Sequence, residues 1–580
     1  MIKNSLNRVS KIGNLVFAWF NFIMFFAMRP CWSGISKTLK YEEIVDKFGE
    51  GHFLSWLMLN LPVILWILFF LIALSNTILF LLKSKKDLYS YIYNGVNIVF
   101  FVAVLVIIKL GAIDYMDYIW PNFFKYVGLV CGILLVIFFI FIYPKTKLQE
   151  SKRFKWSVFA VVLALISGNL VDFRINSIKT GAVVYAVENE YQIVFSSNTD
   201  ARAWVTINGE RYFDNYNGSN RSYTKIHKVS VPMSVLDEAK SYEIHVQKIT
   251  YRGPFGGYFG RDISESYDFK PVDTSDGNLN YYNLADIHMA GKAAAKAASY
   301  MEDKELLVLA GDIVSMMDTY EDANLVNEYA SKITNGSIPV VYARGNHEIK
   351  GKYAEEFHNF VGAKGESFYY NFYLDGVYGL VLDFGEDHDD DYWEYYDTSY
   401  YEEYREEQIS LVKEETKKDL SSYKYRLAVC HIPVVYINAR KNHLDQKNRL
   451  TEELNKLNLD MMISGHQHDL FIFEPGKEHE LKDNKLQWYD TGSKFGGGLT
   501  DHNFLNVLVS KRGHTQTDSG KLTNMKSQIG LGIKVDFNEN IQTLVYNTSD
   551  GEKVNILSPF KPVVDYGTDI VFDLDTHRVK

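Results

Sequence analysis

The chain has 580 residues, of which 47% are hydrophobic and 23% charged, with a net charge of −10 and a pI near 5.9. That length holds two to four domains with real cores, and the acidic balance argues against nucleic acid as the main partner. Cys31, Cys131 and Cys430 all lie in apolar stretches, so no disulfide framework is visible.

The first third is apolar. Nearly uncharged runs cover 12–28, 53–82, 88–108, 126–143 and 156–171, set against the ~20 residues a helix needs to cross hydrocarbon. Five such runs in succession offer water no polar face, which predicts an α-helical transmembrane bundle of about five helices over 1–172. The run at 53–82 is long for one span and contains Asn60 and Pro62. It reads as one kinked or tilted helix, or as two re-entrant pieces that would invert everything after it. Basic residues gather in alternate connections: Lys3, Arg8 and Lys11, then Lys83, Lys85 and Lys86, then Lys145, Lys147, Lys152, Arg153 and Lys155. By the positive-inside bias these face the cytoplasm, so the chain after 172 is extracytoplasmic, on a multi-pass protein of the cell membrane in contact with its lipid.

From 173 to 275 the pattern turns to short alternating runs, among them "EYQIVFSS", "ARAWVTIN", "TKIHKVSVPM" and "SYEIHVQKITY". Turn clusters such as "DNYNGSN" separate them, which predicts a small all-β sandwich. Over 276–540 apolar strand-like runs at 279–285, 305–310, 338–343, 425–430 and 459–463 alternate with helical stretches, an α/β signature. "YNFYLDGVYGLVLD" adds a hairpin turning at Asp375–Gly376. The tail, 541–580, reads as strands that end a sheet or pack against the sandwich.

The polar residues closing these strands carry the chemistry. "LADIH" leaves Asp286 and His288, "LAGD" leaves Asp312, "ARGNHE" leaves Asn346 and His347, "LAVCH" leaves His431, and "ISGHQH" leaves His466 and His468. Loops at the C-terminal ends of strands in an α/β sheet converge on one crevice, so these side chains are expected to meet. A mixture of carboxylate, amide and imidazole donors suits first-row transition ions better than Ca²⁺ or Mg²⁺. Each fragment alone is weak, since Gly-Asp and Gly-Asn are common turns. Five in one order are not coincidence.

The series resembles the calcineurin-like metallophosphoesterases, whose pattern runs D-x-H, G-D, G-N-H-E/D, H, then G-H-x-H, over about 279–510 of this chain. The resemblance implies two β-sheets flanked by helices and a pair of divalent transition metal ions (Mn, Fe or Zn). It implies one ion held by Asp286, His288 and His468, a second by Asn346, His431 and His466, and Asp312 bridging the two with one oxygen to each. His347 is then the non-ligand histidine beside the scissile phosphate. The activity implied is hydrolysis of phosphate mono- or diesters, by a hydroxide that two cations ~3.5–4 Å apart share and activate. Arg344 is read either as a phosphate contact or as an ion-pair partner in its strand.

The order and position of the sandwich resemble the fibronectin-type-III-like domain that precedes the catalytic domain in purple acid phosphatases. Those enzymes carry a metal-binding tyrosine three residues past the bridging aspartate. Here that position is Ser315, so a purple ferric centre does not carry over. "VLDFGEDHDDDYW" followed by "YREEQISLV" resembles the segment after the fourth motif in bacterial members. The acidic, aromatic run at 386–407 reads as a substrate-choosing lid with His388 and Tyr392 as contacts, or as a solvated loop.

The leading function is a membrane-anchored, extracytoplasmic binuclear phosphoesterase whose substrate is possible in lipid-linked form. The alternative is a membrane sensor with a non-catalytic phosphoesterase-like domain, which is disfavoured because no ligand is missing. A transporter reading is weakened by the absence of mid-span charges.

Overall fold

The computed structural model describes residues 15–16, 18–23, 25–26, 53–81 and 95, and 176–580 apart from 254–255, 393–394, 396, 437–442, 483–484, 491–498, 511–527 and 558–563. The chain forms two compact units, Met1–Phe173 and Arg174–Lys580.

In the first unit α1 (Phe53–Leu81) runs unbroken through Asn60 and Pro62 for 29 residues. At 1.5 Å per residue that is about 43 Å, enough to cross ~30 Å of hydrocarbon at a tilt. The re-entrant alternative is therefore not adopted. Its window Val63–Leu81 has a mean hydropathy of 2.5, and it is the one helix among the described residues long and apolar enough to span a membrane. Its polar side chains bond back to their own helix, Asn76 to the Ile72 carbonyl (2.9 Å) and Thr77 to that of Ala73 (2.8 Å). Part of the run at 12–28 is helical and packs Phe22 flat on Trp66, ring centroids 5.4 Å apart. The expected spans at 88–108, 126–143 and 156–171 lie outside the described residues, apart from residue 95.

The second unit opens with β1 (Ile178–Val187), β2 (Glu190–Ile207), β3 (Thr224–Pro232), β4 (Ser241–Gly253) and β5 (Gly256–Asp268). Next come β6 (Asn278–Leu284), β7 (Leu306–Ala310), α2 (Tyr320–Thr334) and β8 (Pro339–Ala343). The hairpin β9 (Tyr370–Leu374) and β10 (Val377–Leu382) precedes α3 (Tyr401–Glu415), β11 (Tyr425–Cys430), α4 (Leu444–Leu457), β12 (Met461–Ser464) and β13 (Leu505–Leu508). The chain closes with β14 (Ile529–Asp536), β15 (Ile541–Thr548) and β16 (Ile570–Asp573).

These strands build two large mixed sheets. One runs β16-β15-β14-β6-β7-β8-β1-β2-β4-β5, with β3 also on β2; the other runs β9-β10-β11-β12-β13 and ends on a short strand, Ile472–Phe473. In the first, β6, β7 and β8 are parallel, and every residue of β7 and β8 is buried. Helix α2 lays Ala323, Val326 and Ala330 into the same core. It starts at a capping box in which Thr319 and Asp322 satisfy each other's backbone N–H.

The second sheet shows its pleat plainly. Val381, Leu427, Val429, Met461 and Ile463 enter the core shared with the first sheet. Their neighbours Leu380, Leu382, Ala428, Cys430 and Met462 enter a second core, beneath Ile409 and Val412 of α3 and Leu450 and Leu454 of α4. Both faces are buried, so these strands read as continuous apolar runs. The predicted pair of sheets with flanking helices is thus present, and the tail ends the first sheet through β15 and β16.

The small sandwich expected at 173–275 is not set apart from the catalytic sheet. Its first strand, β1, pairs parallel with β8 (Val184 opposite Pro339, Tyr185 opposite Val340), so the segment continues the catalytic sheet. Strand β2 carries it onward: the register with β3 breaks between Ser196 and Ala201, and beyond that point β2 pairs with β4. Such a break bends a strand and redirects its partners. A buried chain, Asp214 Oδ2 to His227 Nδ1 (3.1 Å) and His227 Nε2 to Ser197 Oγ (3.4 Å), braces the bend. The physical reason for the fusion is burial. Tyr185 packs edge-on to Tyr342 and bonds Asn327 of α2 at 2.8 Å, and Asn324 of α2 reaches Thr180 at 2.8 Å.

A fragment beginning at residue 276 is accordingly expected to melt without cooperativity, because it bares the β8 edge and removes β1 from the core. Circular dichroism and gel filtration check this. A monomeric, sharply melting fragment would show that the sandwich is independent after all.

Candidate metal centre

The predicted residues meet at the C-terminal ends of strands from both sheets. Asp286 follows β6, Asp312 follows β7, Asn346 follows β8, His431 follows β11, and His466 and His468 follow β12. Backbone bonds lock the loops together: Asp286 N–H donates to Gly311 O (3.0 Å) and His288 N–H to Asp312 O (3.0 Å). Five of these residues lie in the left-handed region: Asp286 (φ 50°), His288 (42°), Asp312 (54°), His466 (71°) and His468 (51°). For non-glycine residues this conformation costs roughly 1–3 kcal/mol each and collects at functional sites. Gly311 (φ 84°) has no room for a side chain, since a Cβ there would stand 2.6 Å from His431 Nδ1.

Two donor groups result. Asp286, His288, Asp312 and His468 form one; Asp312, His431 and His466 form the other, and Asp312 belongs to both. Asn346 joins the second, its Oδ1 3.1 Å from His466 Nδ1. Asp312 Oδ1 accepts the His347 backbone N–H (2.9 Å). Its Oδ2 faces imidazoles of both groups, His431 Nε2 at 3.2 Å and His288 Nε2 at 3.8 Å. A single oxygen is therefore turned to both groups, where the sequence expectation gave one oxygen to each.

The ring nitrogens of both groups turn towards one another and towards Asp312. His431 Nδ1–H donates to Ala310 O (2.7 Å), while the buried Nε2 makes no hydrogen bond although a carboxylate oxygen stands beside it. His288 Nε2 and His468 Nε2 face each other at 3.0 Å. Ligand atoms at right angles, each about 2.1 Å from one ion, stand ~3 Å apart. The donor set fits two transition ions.

The buried charges of the donors offset one another. Burial pushes the Asp286 carboxyl up to about 8, opposed by His431. Burial disfavours the charged forms of Asp312 and His431 as well, but their mutual attraction outweighs it: Asp312 is held well below the carboxylate range and His431 is raised to about 10.

His347 lies in neither group. Its Nδ1–H donates to Ser315 O (2.8 Å), which leaves Nε2 directed inward, 3.9 Å from Asp312 Oδ2. The His347 and His468 side chains are 35% and 43% exposed, whereas His431 is 1% exposed, so the mouth of the site is on their side.

Arg344 follows the ion-pair alternative: its Nε and Nη2 both bond Asp383 Oδ2 (2.7 and 2.6 Å), and the guanidinium lies over Phe368. His388 stacks flat on Tyr392, ring centroids 4.1 Å apart, with Nε2 4.0 Å from Asp387.

Sequence reasoning missed three acids. Glu348 is buried and accepts the backbone N–H of Asp312 (2.9 Å), Ile313 (2.6 Å), Val314 (3.1 Å) and Gly345 (2.7 Å), stapling two ligand loops together. Burial pushes its carboxyl up to about 7, while these donors favour its charge. Its signal was its place at the end of "GNHE". Glu386 and Asp387, which touch Asn346 and His466, were hidden in an acidic run that reads as a lid or as a solvated loop.

A mixed α/β pair of sheets with carboxylate and imidazole donors at its converging strand ends defines a metallophosphoesterase fold. Residues 279–470 match the family model of the calcineurin-like phosphoesterases, and the chain carries a domain of that family. No curated protein matches it. Among solved structures it is similar to a purple acid phosphatase from seeds of yellow lupin (Lupinus luteus), at 12% identity and TM-score 0.40, covering 64% of this chain and 72% of that one. It is also similar to a dimetal phosphatase from Danio rerio, at 12% identity and TM-score 0.30, covering 49% and 98%. A third is GAP50, the anchor in the inner membrane complex of Plasmodium, at 12% identity and TM-score 0.31, covering 50% and 89%.

Proposed function

We propose that the protein is a membrane-anchored, extracytoplasmic phosphoesterase that binds two divalent transition metal ions and hydrolyses phosphate mono- or diesters, lipid-linked substrates included. The observation that carries this reading is Asp312 Oδ2, turned to imidazoles of both donor groups. When bound, the two ions would supply Lewis-acid stabilisation of phosphoryl charge and an activated water at neutral pH.

The ligands proposed are those of the sequence expectation: Asp286, His288 and His468 for one ion, Asn346, His431 and His466 for the other, and Asp312 for both. His347 acts on the substrate. With Nδ1–H committed to Ser315 O, its Nε2 is the atom available to hold a proton for the leaving oxygen. The partly exposed rim beside His347 admits the ester, and the buried side excludes water. Support for the anchor comes from the apolar helix Phe53–Leu81, and for the orientation from the alternating basic segments.

The test is elemental analysis of detergent-purified full-length protein, followed by assay against aryl monoesters, aryl diesters, nucleotides and phospholipids with Mn²⁺, Fe²⁺ or Zn²⁺. Two ions per chain and cleavage of at least one substrate class are expected. Two ions with no cleavage would favour the sensor. Protease added to spheroplasts is expected to remove 174–580, and full protection there would overturn the orientation.

A further inference from the structure

The acids at 386 and 387 stand outside both donor groups, yet each touches a different member of the second one. We infer that Glu386 and Asp387 form a two-carboxylate clip that fixes the donor atoms of Asn346 and His466, and so sets how tightly that site retains its ion. This rests on the binuclear reading above. Asn346 Nδ2 donates to Glu386 Oε1 (3.2 Å) and lies 3.4 Å from Oε2, which turns Oδ1 the opposite way, towards His466 Nδ1. The reversed amide would set its oxygen against a buried carboxylate. Asp387 Oδ2 accepts from His466 Nε2 (3.1 Å), so the proton belongs on Nε2 and the lone pair on Nδ1. Two adjacent carboxylates thereby leave two acceptor atoms facing each other at 3.1 Å.

The clip is itself held rigidly. Arg405, 1% exposed on α3, donates from Nη1 to the carbonyls of Phe384 (3.3 Å) and Glu386 (3.1 Å). Gly385 takes φ 77°, and a Cβ there would run into the Tyr401 ring. Asp387 N–H closes onto Glu386 Oε1 (2.9 Å), and Lys350 Nζ pairs with Oε2 (2.9 Å). A carboxylate behind a ligating imidazole fixes its tautomer and raises its basicity; losing such a partner typically costs ~10–100-fold in metal affinity.

The experiment titrates chelator-stripped, full-length protein with Mn²⁺, read by calorimetry and by electron paramagnetic resonance. Wild type is expected to bind two ions. Asp387→Ala and Glu386→Ala are each expected to weaken one site by ~10–100-fold and leave the other unchanged. Asp387→Asn, which keeps an acceptor for His466, is expected to recover part of the loss, and Lys332→Gln, which breaks an exposed pair with Glu328 on α2, to leave both sites as in wild type. Unchanged affinities in both alanine variants would overturn the clip. So would parallel weakening of both sites with a lower melting temperature of the stripped protein, the mark of a merely structural role. Wild-type protein that binds fewer than two ions would overturn the binuclear reading itself.

Discussion

Asp312→Asn is expected to release both metal ions and to abolish turnover in any ester the wild type cleaves. Asp312 Oδ2 is turned to imidazoles of both donor groups, while Oδ1 holds the His347 backbone. Asparagine keeps the shape and the contact to His347, but it has no anionic oxygen to share. The loss in affinity is expected to exceed the ~10–100-fold cost of removing a residue that only orients a ligand. Metal-to-protein ratios after dialysis check this. Retention of both ions at wild-type affinity would remove Asp312 from the shared position.

Stability responds too. Breaking a buried charge pair by removing one partner costs roughly 3–5 kcal/mol, and asparagine should fall at the low end because His431 can then shed its proton. In chelator-treated wild type, the His431 pKa is raised from an ordinary ~6.5 to about 10, with Asp312 the chief cause of the rise against the opposing effect of burial. The stabilisation from this pair is fully present below ~6.5 and is lost as pH climbs towards about 10. Urea titrations across that range should show it in wild type and not in Asp312→Asn.

The proposed ligands were legible because each follows its strand by one to four residues, and a strand end is a local event that short motifs record. The left-handed backbone at Asp286, His288, Asp312, His466 and His468 was not legible. No residue type there announces it, and the surrounding core imposes it. The parallel pairing of β1 with β8 joins segments some 150 residues apart by backbone bonds that carry no side-chain signature. Alternation predicted strands at 173–275 correctly and their partners wrongly, because a pleat shows which face is buried and not against what. The inward turn of part of the acidic run at 386–407 was hidden for a related reason. Its charge describes an exposed loop on average, while Glu386, 1% exposed, and the helix from Tyr401 turn inward.

His347→Asn separates an acid–base role from a ligand role. The side chain stands at the mouth, its Nε2 3.9 Å from Asp312 Oδ2 and its Nδ1–H spent on Ser315 O. Asparagine cannot place a proton at that point, so turnover is expected to fall by the ~10²–10⁴ typical of a lost acid or base, with both ions still bound. The size of the fall is expected to depend on the leaving group. An alkyl phosphate departs as a strongly basic alkoxide that needs its proton as the bond breaks, whereas nitrophenolate leaves without one. The alkyl ester should therefore suffer the larger loss, and the ratio of the two rates measures protonation apart from binding. Equal losses for both esters with the metals retained would mean that His347 steadies a phosphoryl oxygen instead. Loss of an ion would place its Nε2 among the ligands, because the contact to Asp312 Oδ1 comes from the backbone and survives the substitution.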